Sequence, residues 1–121
     1  MEIQQAIPVL RIYDEAKARE FYLDFMGFTV EFEHRFEPGG PVYLGIQRDR
    51  VKLHLSEHYG DGTPGSFVFV VMDGVDEYHQ ELLARNYRNL HPHIDNTPWG
   101  TRSFVAIDPF NNRISFNQYL R

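Results

Sequence analysis

The sequence predicts an α+β fold built from two repeated modules, each made of a strand, a helix and three further strands. Two observations predict the repeat: this order of elements occurs twice in 121 residues, and each half holds one amphipathic helix. A stretch rich in Gly and Pro, His58–Gly65, separates the halves. We expect one domain, with module one at residues 1–58, a linker at 59–65 and module two at 66–121. One face of each set of strands then stays free, so that two curved half-sheets can enclose a cleft.

The first module begins with a predicted strand over Ile3–Ile12, which Pro8 interrupts because proline cannot donate a ladder hydrogen bond. Asp14 is the predicted N-cap of the first helix, and Gly27 ends that helix. Its apolar stripe repeats at helical spacing and consists of Ala18, Phe21, Tyr22, Phe25 and Met26.

Three strands complete this module. Apolar residues at Phe28, Val30 and Phe32 alternate with polar ones, which predicts a strand with period two. After a loop rich in Pro and Gly, Val42–Gln47 and Val51–Leu55 form two strands joined by a tight turn.

The second module repeats the pattern. A strand is predicted at Ser66–Met72, and another at Tyr87–Ile94. The chain closes with a hairpin of strands Arg102–Ile107 and Arg113–Gln118, joined by an Asp-Pro turn at Asp108. Between the first two strands lies the second helix, whose apolar stripe is Val75, Tyr78, His79, Leu82 and Leu83.

Composition excludes several classes of protein. The chain contains no Cys, which excludes disulfides, thiolate metal sites and a Cys nucleophile. Its net charge of −5 argues against a nucleic-acid partner and mildly favours cationic ligands. There is no apolar run of transmembrane length and no leader pattern, so we expect a soluble, cytoplasmic protein without a membrane partner.

Several stretches resemble a known family. They are Ala-Ile-Pro-Val-Leu at 6–10, Leu-His-Leu-Ser-Glu-His at 53–58 followed by Gly-Asp-Gly, Pro-Trp-Gly at 98–100, and Asp108-Pro109. With the paired modules, they resemble the bleomycin-resistance group of the vicinal-oxygen-chelate superfamily, which also contains glyoxalase I and the extradiol dioxygenases. The resemblance implies the glyoxalase/bleomycin resistance/dioxygenase fold, with curved mixed sheets around a cleft.

The resemblance also implies where a metal would bind. Enzymes of this superfamily use four His or Glu ligands, and the corresponding positions here are Ile7, His54, Phe67 and Ser115. Only His54 is a strong ligand, whereas a catalytic metal normally needs three protein ligands. We therefore expect no metal, no cofactor and no catalytic residue.

Two groups of histidines have competing interpretations. His91 and His93, continued by Asp95, have a spacing that metals use, but Pro92 between them favours an irregular exposed edge strand. His79 falls on the apolar stripe of the second helix, which favours a packed, hydrogen-bonded side chain over a ligand.

The predicted site is an aromatic and acidic cleft. Core packing is an equal alternative for Phe32 and Phe36, and Trp99 is either a core residue or a ligand platform in a loop beside Gly100. Glu31, Glu33, Glu57 and Asp61 are expected around the mouth of the cleft. The predicted ligand-binding residues are Phe32, Phe36, Tyr43, His54, Glu57, Phe67, Phe69, Trp99 and Gly100.

The resemblance implies sequestration: a flat, cationic glycopeptide antibiotic is held at a dimer interface without a chemical step. Ile3–Ala6, preceding the hinge at Pro8, is expected to contact the other subunit of a homodimer. One alternative is a metal-dependent enzyme of the glyoxalase or dioxygenase type that uses His54. Another is a protein of this fold that binds a different aromatic metabolite.

Overall fold

The structure is a computed structural model that describes residues 1–121, apart from the side chain of Asn89. The first sheet contains β1 (Val9–Arg11), β2 (Thr29–His34), β3 (Tyr43–Arg48) and β4 (Val51–Ser56), in the order β1-β4-β3-β2. The second contains β5 (Phe67–Val71), β6 (Ile94–Asn96), β7 (Thr101–Ile107) and β8 (Arg113–Tyr119), in the order β5-β8-β7-β6. The equivalent strands β1–β4 and β5–β8 pair in parallel. The identical order in both sheets confirms the predicted α+β repeat.

One helix accompanies each sheet. The first, α1 (Glu15–Arg19), continues as a π-helical segment over Glu20–Phe25, and the second is α2 (Val75–Arg85). The carboxylate of Asp14 accepts a hydrogen bond from the backbone N–H of Lys17 at 3.0 Å, which confirms the predicted N-cap. A short 3₁₀ turn, Tyr87–Asn89, follows α2.

Both modules contribute to one hydrophobic core. The buried helix residues include Phe21, Tyr22 and Phe25 from the first module and Val75, Tyr78 and Leu82 from the second. They pack with the buried faces of the sheets, which carry Leu10, Leu44, Ile46, Leu53, Leu55, Phe104, Ala106, Ile114 and Phe116. The predicted helical stripes are therefore confirmed as the core-facing sides, with Leu83 only half-buried.

A buried hydrogen-bond network joins the first helix to the closing hairpin. The hydroxyl of Tyr22 donates to Oδ2 of Asp108 at 2.7 Å, and the amide of Asn112 donates to the same oxygen at 2.8 Å. Oδ1 of Asp108 accepts from the backbone N–H of Phe110 and of Asn112. The Asp-Pro turn thus fixes the hairpin and links the two modules.

Two predicted strands were wrong in extent or position. The first covers only Val9–Arg11: the carbonyl of Pro8 still accepts a hydrogen bond from His54, but the described residues before Pro8 have no strand pairing, and Ile3 is almost fully exposed. The segment Tyr87–Ile94 is a turn rather than a strand, and β6 begins only at Ile94. Pro92 in this segment lacks the backbone donor that a strand would need.

The strict alternation predicted for β2 is also wrong. The register with β3 shifts between Val30 and Phe32, so that Val30 pairs with Ile46 while Phe32 pairs with Gly45. Ile46 faces the core and Gly45 faces the other side. This irregularity turns Phe32 onto the side of the sheet away from the core.

Each sheet thus has one face in the core and one face outside it. The open face of the first sheet carries Phe32, Tyr43, Gly45, Lys52 and His54. The open face of the second sheet carries Phe67, Phe69, Val71, Val105 and Ile107. Within the described part of the chain, no helix has the length and apolar character needed to span a membrane.

Candidate functional site

An aromatic floor lies on the open face of the first sheet. The ring of Phe32 covers Gly45 so closely that an added Cβ would lie 2.5 Å from Cδ1 and 2.7 Å from Cζ. Phe32 is stacked with Tyr43 at 6.1 Å between ring centroids and meets His54 edge-on at 5.2 Å. Phe32 is 42% exposed, so the floor is available to a ligand and is not core packing.

A hydrogen bond fixes two members of this floor to each other. The hydroxyl of Tyr43 lies 2.8 Å from Nδ1 of His54, and the two rings are tilted by 70°. Burial lowers the pKa of His54, and the carboxylate of Glu31 offsets part of that effect. Burial raises the pKa of Tyr43, and Asp61 adds to the rise. Both shifts favour the neutral form of the side chain.

Two of the carboxylates expected at the mouth of the cleft are paired with cations. Glu31 lies 3.4 Å from Nζ of Lys52 on the open face of the first sheet. Glu33 binds Arg19 at 2.5 Å and Arg35 at 3.1 Å, and so belongs to a surface ion-pair network. These pairs reduce the acidity of the site relative to the sequence-based expectation.

The other two carboxylates accept hydrogen bonds from neighbouring groups. Oε1 of Glu57 accepts from the backbone N–H of Val42 at 3.1 Å. Oδ2 of Asp61 accepts from the hydroxyl of Ser56 at 2.8 Å. Both interactions hold the loop after β4 against the end of the sheet, which is a structural role.

Phe36 lies outside the aromatic floor, in the loop after β2. Its ring is 82% exposed and meets the rings of His34 and His58 edge-on, at 4.6 Å and 5.5 Å between centroids. Core packing is thus wrong for Phe36 as it is for Phe32. A ligand role for Phe36 stays a prediction.

The open face of the second sheet is an apolar patch. Its five side chains are between 37% and 60% exposed, and Phe67 and Phe69 are the two aromatic members. Soluble monomers rarely expose contiguous apolar surface of this kind without a binding role. No contact joins this patch to the aromatic floor among the aromatic pairs of the described side chains.

Trp99 and Gly100 occupy the turn before β7. Trp99 is 65% exposed, which makes a core role within the single chain wrong. Gly100 has a φ of +89°, in the left-handed region that glycine adopts without strain, and apart from its two chain neighbours no described atom lies within 4 Å of the place that a Cβ would take. The turn is held by Thr97, whose hydroxyl lies 2.8 Å from that of Thr101.

The four positions implied for a metal do not form a ligand set. Ile7 and Phe67 have no donor atom in their side chains, and the hydroxyl of Ser115 accepts a hydrogen bond from Asn117 at 2.9 Å. His54 is bonded to Tyr43 through Nδ1, so Nε2 of His54 is the single strong ligand atom that the four positions offer. Across the side chains that the structure describes, there is no group of three or more His, Cys, Asp or Glu residues arranged to hold a metal.

His79 follows the packed, hydrogen-bonded interpretation, whereas His91 and His93 are exposed but precede β6 and do not lie on an edge strand. His79 is buried, and its Nε2 lies 2.5 Å from the carbonyl oxygen of Pro92. His93 lies 3.7 Å from Asp95, with both side chains strongly exposed. A solvated pair of this type holds its geometry weakly.

The structure therefore joins three of the nine predicted residues, Phe32, Tyr43 and His54, into one contact cluster. Sequence reasoning missed Gly45, whose absent side chain makes room for Phe32. Lys52, which pairs with Glu31, was missed as well. The glycine inside an alternating strand was the available signal, because such a glycine often marks a close approach.

A cavity of about 360 Å³ lies away from this cluster, where the β3–β4 turn meets the start of α2. Phe28, Val70 and Phe116 line its apolar side. The ion pair between Arg48 and Glu81 lines another side. None of the nine predicted site residues lines it.

Comparison with known proteins gives consistent matches over the whole chain. A family model described as "Glyoxalase superfamily protein" matches residues 1–121. Bleomycin resistance proteins from Geobacillus stearothermophilus and Staphylococcus aureus are each 28% identical over 135 residues, covering 97% of this chain and 98% of the relative. These matches confirm the resemblance drawn from the short sequence stretches.

Solved structures share the fold. A bleomycin-binding protein from Streptomyces verticillus, complexed with copper(II)-bleomycin, has a TM-score of 0.71 and 25% identity over 98% of both chains. The bleomycin resistance determinant encoded on transposon Tn5 has a TM-score of 0.76 at 20% identity, covering 97% of this chain and 98% of that one. An antibiotic binding protein from Streptomyces sp. CB03234 has a TM-score of 0.72 at 24% identity over 98% of both chains.

Proposed function

The chain belongs to the glyoxalase superfamily, and from this premise we propose that it binds a bleomycin-type antibiotic and releases it chemically unchanged. The relatives named above are bleomycin resistance proteins that match this chain over nearly its full length. The observation that carries the proposal is the set of aromatic rings held outside the core on both sheets and at the turn before β7.

The aromatic rings suit a flat ligand. Phe32 and Tyr43 form a nearly parallel floor, with 16° between the ring planes, and an aromatic ring of a ligand can stack on it. Each aromatic pair contributes about 0.5–1.5 kcal/mol beyond the buried area. Phe67, Phe69 and Trp99 offer further rings, so several stacked contacts together would support micromolar or tighter binding.

A second copy of this chain is the proposed cover for the two open faces. The apolar patch on the second sheet is too exposed to suit a monomer, and it can face the aromatic floor of a partner. Residues Ile3–Ala6 extend from β1 without a strand partner in their own chain, which suits pairing with the other subunit. The ligand would then lie between the two subunits.

The donor set supports binding without metal-dependent catalysis. Of the four positions implied for a metal, two have purely apolar side chains and Ser115 carries only a hydroxyl, so His54 is the one strong ligand among them, where a catalytic metal normally needs three. The serines of the sequence lack the context of a nucleophile elbow, and no Ser-His-Asp arrangement can be argued from it. The proposed role is therefore sequestration.

Two experiments test this function. The emission of Trp99, the only tryptophan, should be quenched in a saturable way by bleomycin, and an unchanged emission together with no heat of binding would contradict the proposal. Sedimentation should show a dimer at micromolar concentration, and deletion of residues 1–6 should weaken it. A stoichiometric divalent metal retained through gel filtration would instead favour the metal-dependent enzyme.

A further inference from the structure

The donor and acceptor strengths of the two groups determine which of Tyr43 and His54 donates the hydrogen bond between them. Nδ1 of His54 and the hydroxyl of Tyr43 are 2.8 Å apart, so one of them donates. A phenol is a good donor and a neutral imidazole nitrogen is a better acceptor than a phenol oxygen, so the hydroxyl donates to Nδ1. The imidazole then carries its proton on Nε2.

Nε2 of His54 is the free end of this arrangement. Among the hydrogen bonds of the described side chains, Nδ1 has a partner and Nε2 has none, and Nε2 is not one of the buried unpaired atoms. Phe32 packs edge-on against the ring at 5.2 Å, which limits how the imidazole can turn. A fixed N–H donor thus stands beside the exposed ring of Phe32 on the open face of the first sheet.

The charges near His54 decide which acceptor suits this donor. Glu31 and Lys52 lie on the same face and form an ion pair, so the local charge is balanced. An anionic ligand group would lie near the carboxylate of Glu31 and would lose water on binding. A carbonyl oxygen or an unprotonated ring nitrogen is not repelled by that carboxylate and pays a smaller desolvation cost than an anion does.

We propose that Tyr43 holds His54 as the neutral Nε2–H tautomer, and that His54 donates this hydrogen bond to an uncharged acceptor on the flat ligand that stacks on Phe32. This inference rests on the proposed function for the position of the ligand. It makes His54 a binding residue that selects heteroaromatic or carbonyl-bearing ligands, and Tyr43 its positioning residue.

The tautomer is tested on the free protein by ¹⁵N NMR of the histidine side chains, with His54 assigned from the His54→Phe variant. At pH 7.5 we expect an unprotonated Nδ1 and a protonated Nε2, and a mixture of both tautomers in Tyr43→Phe. Tyr119→Phe, at an exposed residue, is the control and should leave the spectrum of His54 unchanged. A proton found on Nδ1 of the wild type would overturn the proposal.

The acceptor is tested with quinoline and naphthalene, two flat bicyclic probes that differ by one ring nitrogen. Quinoline should shift the Nε2 signal of His54 and naphthalene should not. The absence of a shift with quinoline, or equal shifts with both probes, would overturn the inference whether or not bleomycin binds.

Titration with bleomycin distinguishes the proposed antibiotic binding from the proposed hydrogen bond of His54. With copper-free bleomycin, His54→Phe should lose affinity by about two- to twelvefold, the usual effect of one hydrogen bond, while His54→Gln, which keeps an N–H donor, should lose less. Equal affinity of wild type and His54→Phe would overturn the hydrogen bond and leave antibiotic binding standing. A wild type that responds to quinoline but not to bleomycin would overturn antibiotic binding alone.

Discussion

Replacing Gly45 with alanine is the sharpest single perturbation of the aromatic floor. The backbone at Gly45 does not have a positive φ, so alanine fits the strand itself. Its Cβ, however, would lie 2.5 Å from Cδ1 of Phe32, where ordinary contact begins at 3.4 Å. Cε1 of the ring lies closer still, so the ring must move by more than about 0.9 Å, which disturbs its contacts with Tyr43 and His54.

The expected result is weaker ligand binding with little change in the free energy of unfolding. Disrupting one aromatic contact costs about 0.5–1.5 kcal/mol, which corresponds to about two- to twelvefold in Kd. Phe32 is partly exposed and can move into solvent, so the free energy of unfolding should change by less than about 1 kcal/mol. Calorimetric titration with bleomycin and urea denaturation measure the two effects.

A double-mutant cycle shows whether the effect acts through Phe32. In a Phe32→Ala background the added methyl group meets no ring, so Gly45→Ala should have almost no further effect on affinity. Wild-type affinity in the single Gly45→Ala variant would refute the reasoning. An undiminished effect in the Phe32→Ala background would refute it as well.

Three further predictions concern the network, the histidine and the tryptophan. Tyr22→Phe leaves a buried oxygen of Asp108 with one hydrogen-bond donor fewer, so the free energy of unfolding measured by urea denaturation should fall by about 1–3 kcal/mol. A free energy of unfolding equal to that of the wild type would contradict a structural role for this hydrogen bond. Since burial lowers the pKa of His54 from its usual 6.5, the unfolded chain binds that proton more tightly, and stability should fall as the pH drops below about 6.5 and level off below the folded-state pKa. His54→Phe should reduce the slope of stability against pH, and equal slopes in the variant and the wild type would contradict this role of His54. Trp99→Ala should keep a cooperative melt within about 1.5 kcal/mol of the wild type and lose about tenfold or more in bleomycin affinity, whereas outright unfolding would assign Trp99 to the core.

Local chemistry made much of the fold predictable. The N-cap at Asp14 and the Asp-Pro turn at Asp108 are decided by side chains a few residues away, and both were predicted correctly. The helical stripes were recognisable because burial selects apolar residues at a fixed spacing. The repeat followed from the order of these elements.

The features that sequence reasoning missed are mostly set by contacts between residues that are distant in the chain. The π-helical segment over Glu20–Phe25 keeps the same buried face as the expected α-helix, so the stripe does not distinguish them. The bulge between Val30 and Phe32 is set by pairing with β3, and it decides that Phe32 faces away from the core. The place of Gly45 under that ring follows from the same register.

The candidate site was predictable in its residue types more than in its chemistry. Tyr43 and His54 were both expected in the cleft, but their hydrogen bond requires the register that puts Gly45 opposite His54. The acidic mouth was overestimated, because Arg19 and Lys52 become partners of Glu33 and Glu31 only in three dimensions.

The most direct test of antibiotic sequestration is calorimetric titration of the purified protein with copper-free and copper-loaded bleomycin, followed by mass spectrometry of the recovered drug. Aromatic rings on both open faces predict saturable binding at a fixed ratio of drug to subunit, with the drug recovered unchanged. The absence of saturable heat with either form would contradict the account, and a drug recovered with an altered mass would show catalysis in place of sequestration.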